Sequence, residues 1–311
     1  MKKAAVSFLL FTLFFFLLSL RVQAQVKVNK VFIDSGILKA KLGDFQAALK
    51  DLNKAVSMDS GSAEAFYNRG IVRNELKDFH GAIEDFNRVL ELRRSYADPW
   101  FNRAVAKDGL KDYEGAIRDY SKAVALKADF PEAYYNKGAD LMQMGNFAEA
   151  AMNFSRALQY RPVFPEAYYN RGLCYFNRKN FPDAIQDFSE AIRFDPSQPD
   201  FFSSRGAASA AGGSYKDAIH DFGQVISMSP ADIPARMNKG LAQMYLKQYK
   251  DAVNTYTEVI NLQPGNDKAY TNRGVAKQYL EKPDEACRDW EKAAGLGNDK
   301  AKSYISKYCK K

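Results

Sequence analysis

The sequence repeats itself with a strict period of 34 residues. Eight alanines mark the period, and a second small residue, almost always glycine, lies twelve positions before each alanine. The alanines are Ala48, Ala82, Ala116, Ala150, Ala184, Ala218, Ala252 and Ala286, and the preceding small residues are Gly36, Gly70, Ala104, Gly138, Gly172, Gly206, Gly240 and Gly274. A period of this length predicts a solenoid, in which each unit buries its apolar face against its neighbours.

Within each period the apolar residues follow helical spacing. A large apolar residue comes four positions after the alanine and a small one three positions later, as Phe86 and Val89 do in the second period. Spacings of three and four belong to a helix. Polar or glycine-containing turns, such as the one around Gly43 and the one around Asp78, separate two helical stretches. Each period is therefore predicted to be a helix–turn–helix unit.

These features resemble the tetratricopeptide repeat. Most units also have an aromatic residue four positions before the small residue, and several end in proline. The aromatic residues are Phe32, Phe66, Trp100, Tyr134, Tyr168, Phe202 and Tyr270, and the prolines are Pro162, Pro196, Pro230 and Pro264. The resemblance implies an all-α, right-handed superhelical solenoid of eight 34-residue helix-turn-helix units.

The period also predicts the division of the chain. The eight repeats are predicted at residues 29–62, 63–96, 97–130, 131–164, 165–198, 199–232, 233–266 and 267–298. In residues 299–311, Ala301, Tyr304, Ile305 and Tyr308 lie on one stripe, as in an amphipathic helix. We expect this segment to be a capping helix that covers the last open face of the solenoid.

Residues 1–24 have the composition of a signal peptide. Lys2 and Lys3 precede an apolar run over residues 4–20, and small residues precede Gln25. We expect cleavage after Ala24, a short linker over residues 25–28, and a periplasmic or secreted protein of a bacterial envelope with no membrane span. The alternative is an uncleaved anchor, because the apolar run approaches the length of a membrane span.

The charge and the motifs argue against several classes of function. The formal net charge is +8, and it falls to +5 once Lys2, Lys3 and Arg21 are removed with the signal peptide. This mild charge does not favour a nucleic-acid partner. His80 and His220 lie in different repeats without further ligands at metal-binding spacing. We therefore expect no catalytic residue, no metal and no cofactor.

A basic column precedes the small residues, and each of its arginines has an aspartate sixteen positions later. The pairs are Arg69 with Asp85, Arg103 with Asp119, Arg171 with Asp187, Arg205 with Asp221, and Arg273 with Asp289. The two repeats with lysine in this column, Lys137 and Lys239, lack the aspartate, and Ser35 with Asp51 breaks the rule in the first repeat. The pattern predicts a bidentate bridge inside each repeat. The alternative is a basic strip for anionic partners.

The asparagine column lies two positions before the small residue. Its asparagines are Asn68, Asn102, Asn136, Asn170, Asn238 and Asn272. The resemblance implies that the first helix of each unit lines a concave groove, and that such a column holds an extended peptide by its backbone. An asparagine amide suits that task because it both donates and accepts hydrogen bonds. The alternative is that these asparagines make local contacts only.

The aromatic column lies one position earlier and is confined to the second to fifth repeats. Its members are Tyr67, Phe101, Tyr135 and Tyr169, whereas later repeats have Ser203, Met237 and Thr271. We expect exposed rings in this column to be binding anchors, so the N-terminal half of the groove would carry the main recognition surface.

Acidic residues lie near the start of the first helix in several repeats. They are Glu64, Asp98, Glu132, Glu166 and Asp200. They disfavour a ligand with a carboxylate tail and favour a neutral or basic one, although acids also stabilise helix N-termini without any ligand. The sequence therefore indicates a non-enzymatic scaffold that binds an extended peptide or a partner protein. The alternative is an adaptor for polysaccharide or cell-wall assembly, with aromatic rings stacked on sugars.

Two of the three cysteines are candidates for a disulfide. Cys287 follows Ala286 and is expected to face the interface under the cap, and Cys309 lies at the end of that cap. A bond between them would close a loop of about 23 residues and contribute about 3 kcal/mol. The alternative is that all three cysteines, including Cys174, are reduced packing residues.

Overall fold

The computed structural model describes residue 23 and residues 27–309. Apart from residue 23, the predicted signal peptide and its cleavage site lie outside the described residues, as do Lys310 and Lys311. The described residues are helical and contain no strand, so the predicted all-α fold is confirmed. The chain divides into two compact units at Asn146, and each is described by itself.

Unit 1 contains seven helices among its described residues. They are α1 (residues 27–41), α2 (Phe45–Met58), α3 (Ala63–Glu75), α4 (Phe79–Leu92), α5 (Ala97–Gly109), α6 (Tyr113–Leu126) and α7 (Pro131–Gln143). His80 lies in the first turn of α4.

Unit 2 contains ten helices among its described residues. They are α8 (Phe147–Tyr160), α9 (Pro165–Asn177), α10 (Phe181–Phe194), α11 (Pro199–Ala211), α12 (Tyr215–Met228), α13 (Ile233–Tyr245), α14 (Tyr249–Leu262), α15 (Asp267–Tyr279), α16 (Pro283–Gly295) and α17 (Asp299–Tyr308). None of the helices in the described part of the chain is both long and apolar enough to cross a membrane.

Within each unit, every helix packs against the next one in the chain. Odd-numbered helices also approach one another, α3 to α5 in unit 1 and α9, α11, α13 and α15 in turn in unit 2. The odd-numbered helices, which begin each helix pair, therefore form the tighter inner layer of each unit. Their shared surface is called the inner face below.

The small-residue column allows the two helices of a pair to pack closely. A Cβ atom added to Gly70 would lie 2.8 Å from the ring of Phe86, which is fully buried in the partner helix. The same ring packs with Ala82 and Ala106. Because carbon atoms do not approach so closely without displacement, a larger residue at Gly70 would force the helices apart.

The turn inside each helix pair has the same backbone conformation throughout. The residue seven positions after the small residue has a positive φ in every pair. These residues are Gly43, Lys77, Lys111, Gly145, Lys179, Gly213, Lys247 and Glu281. A left-handed residue at this point ends the first helix and satisfies its last carbonyl groups. In the first three turns the next residue is an aspartate whose side chain caps the second helix, as Asp78 does for the Gly81 amide.

The last helix covers the end of unit 2. Ala301 is buried against Trp290 and Ala293, and the Tyr304 ring centroid lies 5.1 Å from that of Trp290. The predicted apolar stripe therefore does pack onto α16, and α17 is a capping helix.

Candidate functional site

The asparagine column lies on the odd-numbered helices. Asn238 is exposed, and the other five asparagines are half-buried. Several of the amides make bonds within their own helix: the Asn68 Nδ2 group donates to the Glu64 carbonyl oxygen at 2.8 Å, and that of Asn102 donates to the Asp98 carbonyl oxygen at 2.9 Å. Such bonds fix the orientation of the amide.

Two asparagines also bind tyrosine hydroxyl groups. The Asn102 Nδ2 group lies 3.1 Å from the hydroxyl oxygen of Tyr67, one repeat earlier, and the Asn136 Nδ2 group lies 3.3 Å from that of Tyr120. These are the local contacts of the alternative interpretation. They use donors only, and an asparagine amide also has an acceptor oxygen with two lone pairs.

The aromatic column is packed against the core. The Tyr67 ring lies 6.1 Å from Phe86, Phe101 lies 4.8 Å from Phe130, and Tyr169 lies 4.9 Å from Phe201, all between ring centroids. All four members of the column, including Tyr135, are half-buried. The expectation of exposed aromatic anchors is therefore wrong, because the column is half-buried and the rings of Tyr67, Phe101 and Tyr169 pack against other aromatic side chains.

Exposed tyrosines lie instead near the C-terminal end of the inner layer. Tyr245 and Tyr279 are 60% and 61% exposed. Each stacks on another tyrosine thirty residues earlier, Tyr245 on Tyr215 and Tyr279 on Tyr249, with ring centroids 4.7 Å apart and planes within 6°. The sequence carried a signal for them, since both follow the repeat glycine by five positions.

Thr271 does not belong to the exposed surface. It is 3% exposed, and its hydroxyl group donates to the Asp267 carbonyl oxygen. The sequence contrasted an aromatic N-terminal half of the groove with later repeats that have residues such as Thr271. Because Thr271 is buried, this contrast does not describe the exposed surface.

A pair of carboxyl groups in unit 1 was not expected from the sequence. Asp140 is 3% exposed. Burial is the largest of the causes that raise the pKa of Asp140 to about 8, and the charge of Asp108 and a hydrogen bond with it are the others. Equivalent positions in other repeats hold residues such as Ala106 and Ala208. A proton shared between the Asp108 and Asp140 carboxyl groups explains how an acid can be buried where several other repeats have alanine.

The predicted arginine–aspartate bridges are present in all five repeats that have the pair. Arg103 donates from Nε and Nη2 to the two oxygens of Asp119, each at 2.7 Å. The equivalent Nε and Nη2 pairs measure 2.6–2.9 Å for Arg69, Arg171, Arg205 and Arg273. In the first repeat Lys39 and Ser35 bind Asp51 instead. These five arginines thus serve structure, and they do not form a basic strip.

Each of these arginines also reaches the preceding repeat, which the sequence analysis missed. The Nη1 group of Arg103 donates to the Asn87 Oδ1 atom at 2.6 Å, and that of Arg205 donates to the Ser189 hydroxyl oxygen at 3.1 Å. The acceptor lies sixteen positions before the arginine. One guanidinium group therefore joins three helices of two successive repeats.

The candidate disulfide is present in the structure, and the alternative of three reduced cysteines is not. Cys287 and Cys309 form a disulfide with Cα atoms 5.8 Å apart, and Cys174 is a buried free thiol. Burial raises the pKa of Cys174 to about 12, so that its reactive thiolate form is scarce.

The histidines do not mark a metal site. His80 and His220 are both exposed. No group of three or more His, Cys, Asp or Glu residues is placed to hold a metal ion within the part of the chain that the structure describes.

These features define an all-helical repeat protein whose inner face is built from the first helix of each pair. The chain belongs to the tetratricopeptide repeat (TPR) family. Models described as tetratricopeptide repeat match residues 31–61, 63–96, 135–199 and 233–266, and one described as TPR repeat matches residues 110–145. Together the matches cover more than half of the chain, and none of these models describes a catalytic family.

Solved structures of other TPR proteins have the same fold. The C-terminal part of a TPR repeat-containing protein from Cytophaga hutchinsonii is 22% identical, with a TM-score of 0.64 over 76% of this chain and 98% of that one. The pilF protein of Pseudomonas aeruginosa is 18% identical, with a TM-score of 0.58 over 69% and 97% of the two chains.

YrrB, described as a TPR protein with an unusual peptide-binding site, is 21% identical, with a TM-score of 0.55 over 60% of this chain and 97% of YrrB. At these identities the likeness concerns the fold alone. None of the curated proteins compared with the chain matches it.

Proposed function

We propose that the protein is a non-enzymatic interaction scaffold whose inner face binds an extended peptide segment of a partner protein. The observation that carries the proposal is the asparagine column, whose amides recur in six of the eight repeats on the odd-numbered helices. Local bonds at Asn68 and Asn102 orient the amides before any ligand arrives, which lowers the entropic cost of binding. An extended backbone offers both donors and acceptors to such a column.

The proposed partner is neutral or basic. Glu64, Asp98, Glu132, Glu166 and Asp200 all lie in the first turn of odd-numbered helices. The arginines that could attract an acidic tail are held instead by aspartates such as Asp119. A ligand with a C-terminal carboxylate would therefore meet like charge near the helix starts.

A display library of random peptides tests this proposal against the purified chain. We expect enrichment of peptides without acidic clusters, and an unrelated library of immobilised glycans should give no binding. Failure to enrich any peptide, in the presence of correctly folded protein, would contradict the proposal.

An adaptor for glycans is the second candidate. The observation in its favour is the exposed ring of Tyr245, with that of Tyr279, because exposed aromatic faces can stack on sugar rings. Binding of a glycan that is lost in Tyr245→Ala and Tyr279→Ala, together with a failure of the peptide library, would favour this candidate.

We further propose that the protein is exported to a bacterial envelope or beyond it. The charged and apolar residues 1–24 support export, and the Cys287–Cys309 disulfide fits an oxidising compartment. Mass spectrometry of the protein purified from the native cell envelope should find Gln25 at the N-terminus. An N-terminus that retains Met1 and the apolar run would contradict cleavage.

A further inference from the structure

Two pockets occupy equivalent positions in the two units. One lies between α1, α2 and α3 in unit 1, and the other lies between α11, α12 and α13 in unit 2. Their lining residues correspond one to one at a separation of five repeats, Ile37 with Ala207 and Asn68 with Asn238, for example. Their volumes are about 440 and 430 Å³ respectively. They are called the Ala40 pocket and the Ala210 pocket after the residues that open them.

Both pockets are opened by an alanine four positions after the repeat glycine. The other repeats carry a longer side chain in this column, namely Asn74, Asp108, Met142, Phe176, Met244 or Gln278. In unit 2 the Phe176 ring lies 5.7 Å from that of Phe181, which is the counterpart of Tyr215 in the wall of the Ala210 pocket. The longer side chain thus packs where the alanine leaves space.

Met244 gives the same result in the following repeat. It packs against the cluster of Ala252, Tyr256 and Ala276. Tyr256 and Ala276 are the counterparts of Phe222 and Ala242, which line the Ala210 pocket. The Ala210 pocket is therefore the space that a longer side chain fills at the equivalent position of the neighbouring repeats.

The lining of the Ala210 pocket is uncharged and mostly apolar. Leu241, 46% exposed, forms part of its wall, and the ring of Tyr245 is held in place by stacking on Tyr215. None of its lining side chains carries a charge at neutral pH, whereas the Ala40 pocket includes Lys41 and Glu75. The exposed Asn238 completes the lining of the Ala210 pocket.

We propose that the Ala210 pocket receives one uncharged apolar side chain, aliphatic or aromatic, of an extended peptide whose backbone is bound by Asn238. This rests on the proposed function and names the residue chemistry that the inner face of unit 2 selects. A charged side chain would lose its hydration against Leu241 and Phe222 without gaining a partner. A sugar ring would likewise leave most of its hydroxyl groups without partners there, since the lining offers only the Asn238 amide and the hydroxyl groups of Tyr215 and Tyr245.

The test compares the full chain with a variant whose pocket is filled. Ala210→Met introduces the residue that Met142 and Met244 provide in this column, so the fold tolerates it. Peptides enriched on the wild-type chain from a random display library should share an aliphatic or aromatic residue, and their Kd should rise at least tenfold in Ala210→Met. Ser227→Met, which adds the same side chain at an exposed position of α12, is the matched control and should leave the Kd unchanged.

A second variant tests the Ala210 pocket by changing its wall and not by filling it. Leu241→Ala removes an apolar wall by a substitution that other repeats already contain as Ala139 and Ala207, and it should also weaken binding. Replacing the shared apolar residue of the peptide with lysine should weaken binding to wild type and have no further effect in Ala210→Met.

Three outcomes would overturn the inference. Peptides that bind wild type and Ala210→Met equally would refute the pocket while leaving the scaffold function in place. Failure to enrich any peptide would refute both. Binding of an immobilised glycan that is lost in Ala210→Met would show that the occupant is a sugar.

Discussion

At the scale of single residues, the most consequential group is the buried aspartate of each arginine–aspartate pair. Asp119 is 3% exposed and accepts hydrogen bonds from Arg103. It also forms an ion pair with Lys107, whose Nζ atom lies 2.7 Å from the Asp119 Oδ2 atom. The Arg103 guanidinium group also lies 4.6 Å above the Trp100 ring. Removing one partner of such a pair costs more than the pair contributes, because the remaining charge stays desolvated.

Asp119→Ala should therefore lower the free energy of unfolding by about 3 kcal/mol, the lower end for a broken buried pair, since both cations keep some solvent contact. Urea denaturation followed by circular dichroism measures the change. Glu114→Ala removes an exposed acid from the same helix and should cost less than about 1 kcal/mol. A loss at Asp119 no larger than that of the control would refute the structural role of the pairs.

The second prediction concerns Asp140 and the dependence of folding stability on pH. Burial and the neighbouring Asp108 raise the pKa of Asp140 in the folded protein to about 8, whereas an unfolded aspartate has a pKa of about 3.9. Between these values the folded protein holds a proton that the unfolded chain has released, so stability falls as pH rises. The contribution of this group is complete below about pH 4 and is lost as pH rises through about 8.

Asp140→Asn cannot ionise and should escape this loss. Between pH 5 and pH 8 the wild type should lose at least about 1.4 kcal/mol of stability relative to Asp140→Asn, the equivalent of one pKa unit. Urea denaturation at both pH values measures it, with Asp129→Asn at an exposed position as the control. Parallel stability curves for wild type and Asp140→Asn would rule out a proton held at this site.

At the scale of secondary-structure elements, α17 depends on both packing and a covalent bond. Its Tyr304 and Tyr308 rings lie 5.1 and 5.8 Å from that of Trp290. The Cys287–Cys309 disulfide links α16 to the residue that follows α17. The two cysteines are 22 positions apart in the sequence. A loop of this length restricts the unfolded chain and favours the docked helix.

Cys309→Ser should therefore lower the stability of the C-terminal repeat by about 3 kcal/mol and speed amide hydrogen exchange in α17. Reductant should produce the same change in the wild type and no further change in Cys309→Ser. Unaltered exchange in α17 after loss of the bond would mean that packing alone holds the cap.

The elements themselves followed from the sequence, because close helix packing fixes the spacing of small and large residues. Gly70 lies so close to the Phe86 ring that no side chain fits there, and Ala82 is buried beside the same ring, so their columns could be read directly. The exposure of a ring could not be read in this way. Phe101 packs against Phe130, the residue that precedes α7. Such a contact depends on where neighbouring side chains point.

The candidate site was predictable in part for the same reason. The asparagine column was placed correctly on the odd-numbered helices because it keeps a constant offset from the repeat glycine. Asp140 was missed because one acid in a column of small residues departs from the period. The Ala210 pocket was missed because it arises from the absence of a side chain, and its effect requires knowledge of the walls around it.

At the scale of the whole molecule, the buried arginine–aspartate pairs join the repeats, and under the proposed function the inner faces bind the partner. Unit 1 presents acids such as Glu64 and Asp98 near its helix starts, while the Ala210 pocket in unit 2 is uncharged. Basic residues of a partner would complement the acids of unit 1, and an apolar residue would complement the Ala210 pocket of unit 2. The central claim is that a partner segment binds through the asparagine column.

The affinity of a peptide selected from the display library for the triple variant Asn102→Ala, Asn136→Ala and Asn170→Ala tests that claim most directly. Hydrogen bonds contribute about 1 kcal/mol each, so the Kd should rise at least tenfold while the far-ultraviolet circular dichroism stays that of the wild type. Asn254→Ala, an exposed asparagine on α14, should leave the Kd unchanged. An unchanged Kd in the folded triple variant would show that the peptide does not bind through these asparagines and would leave them with local roles alone.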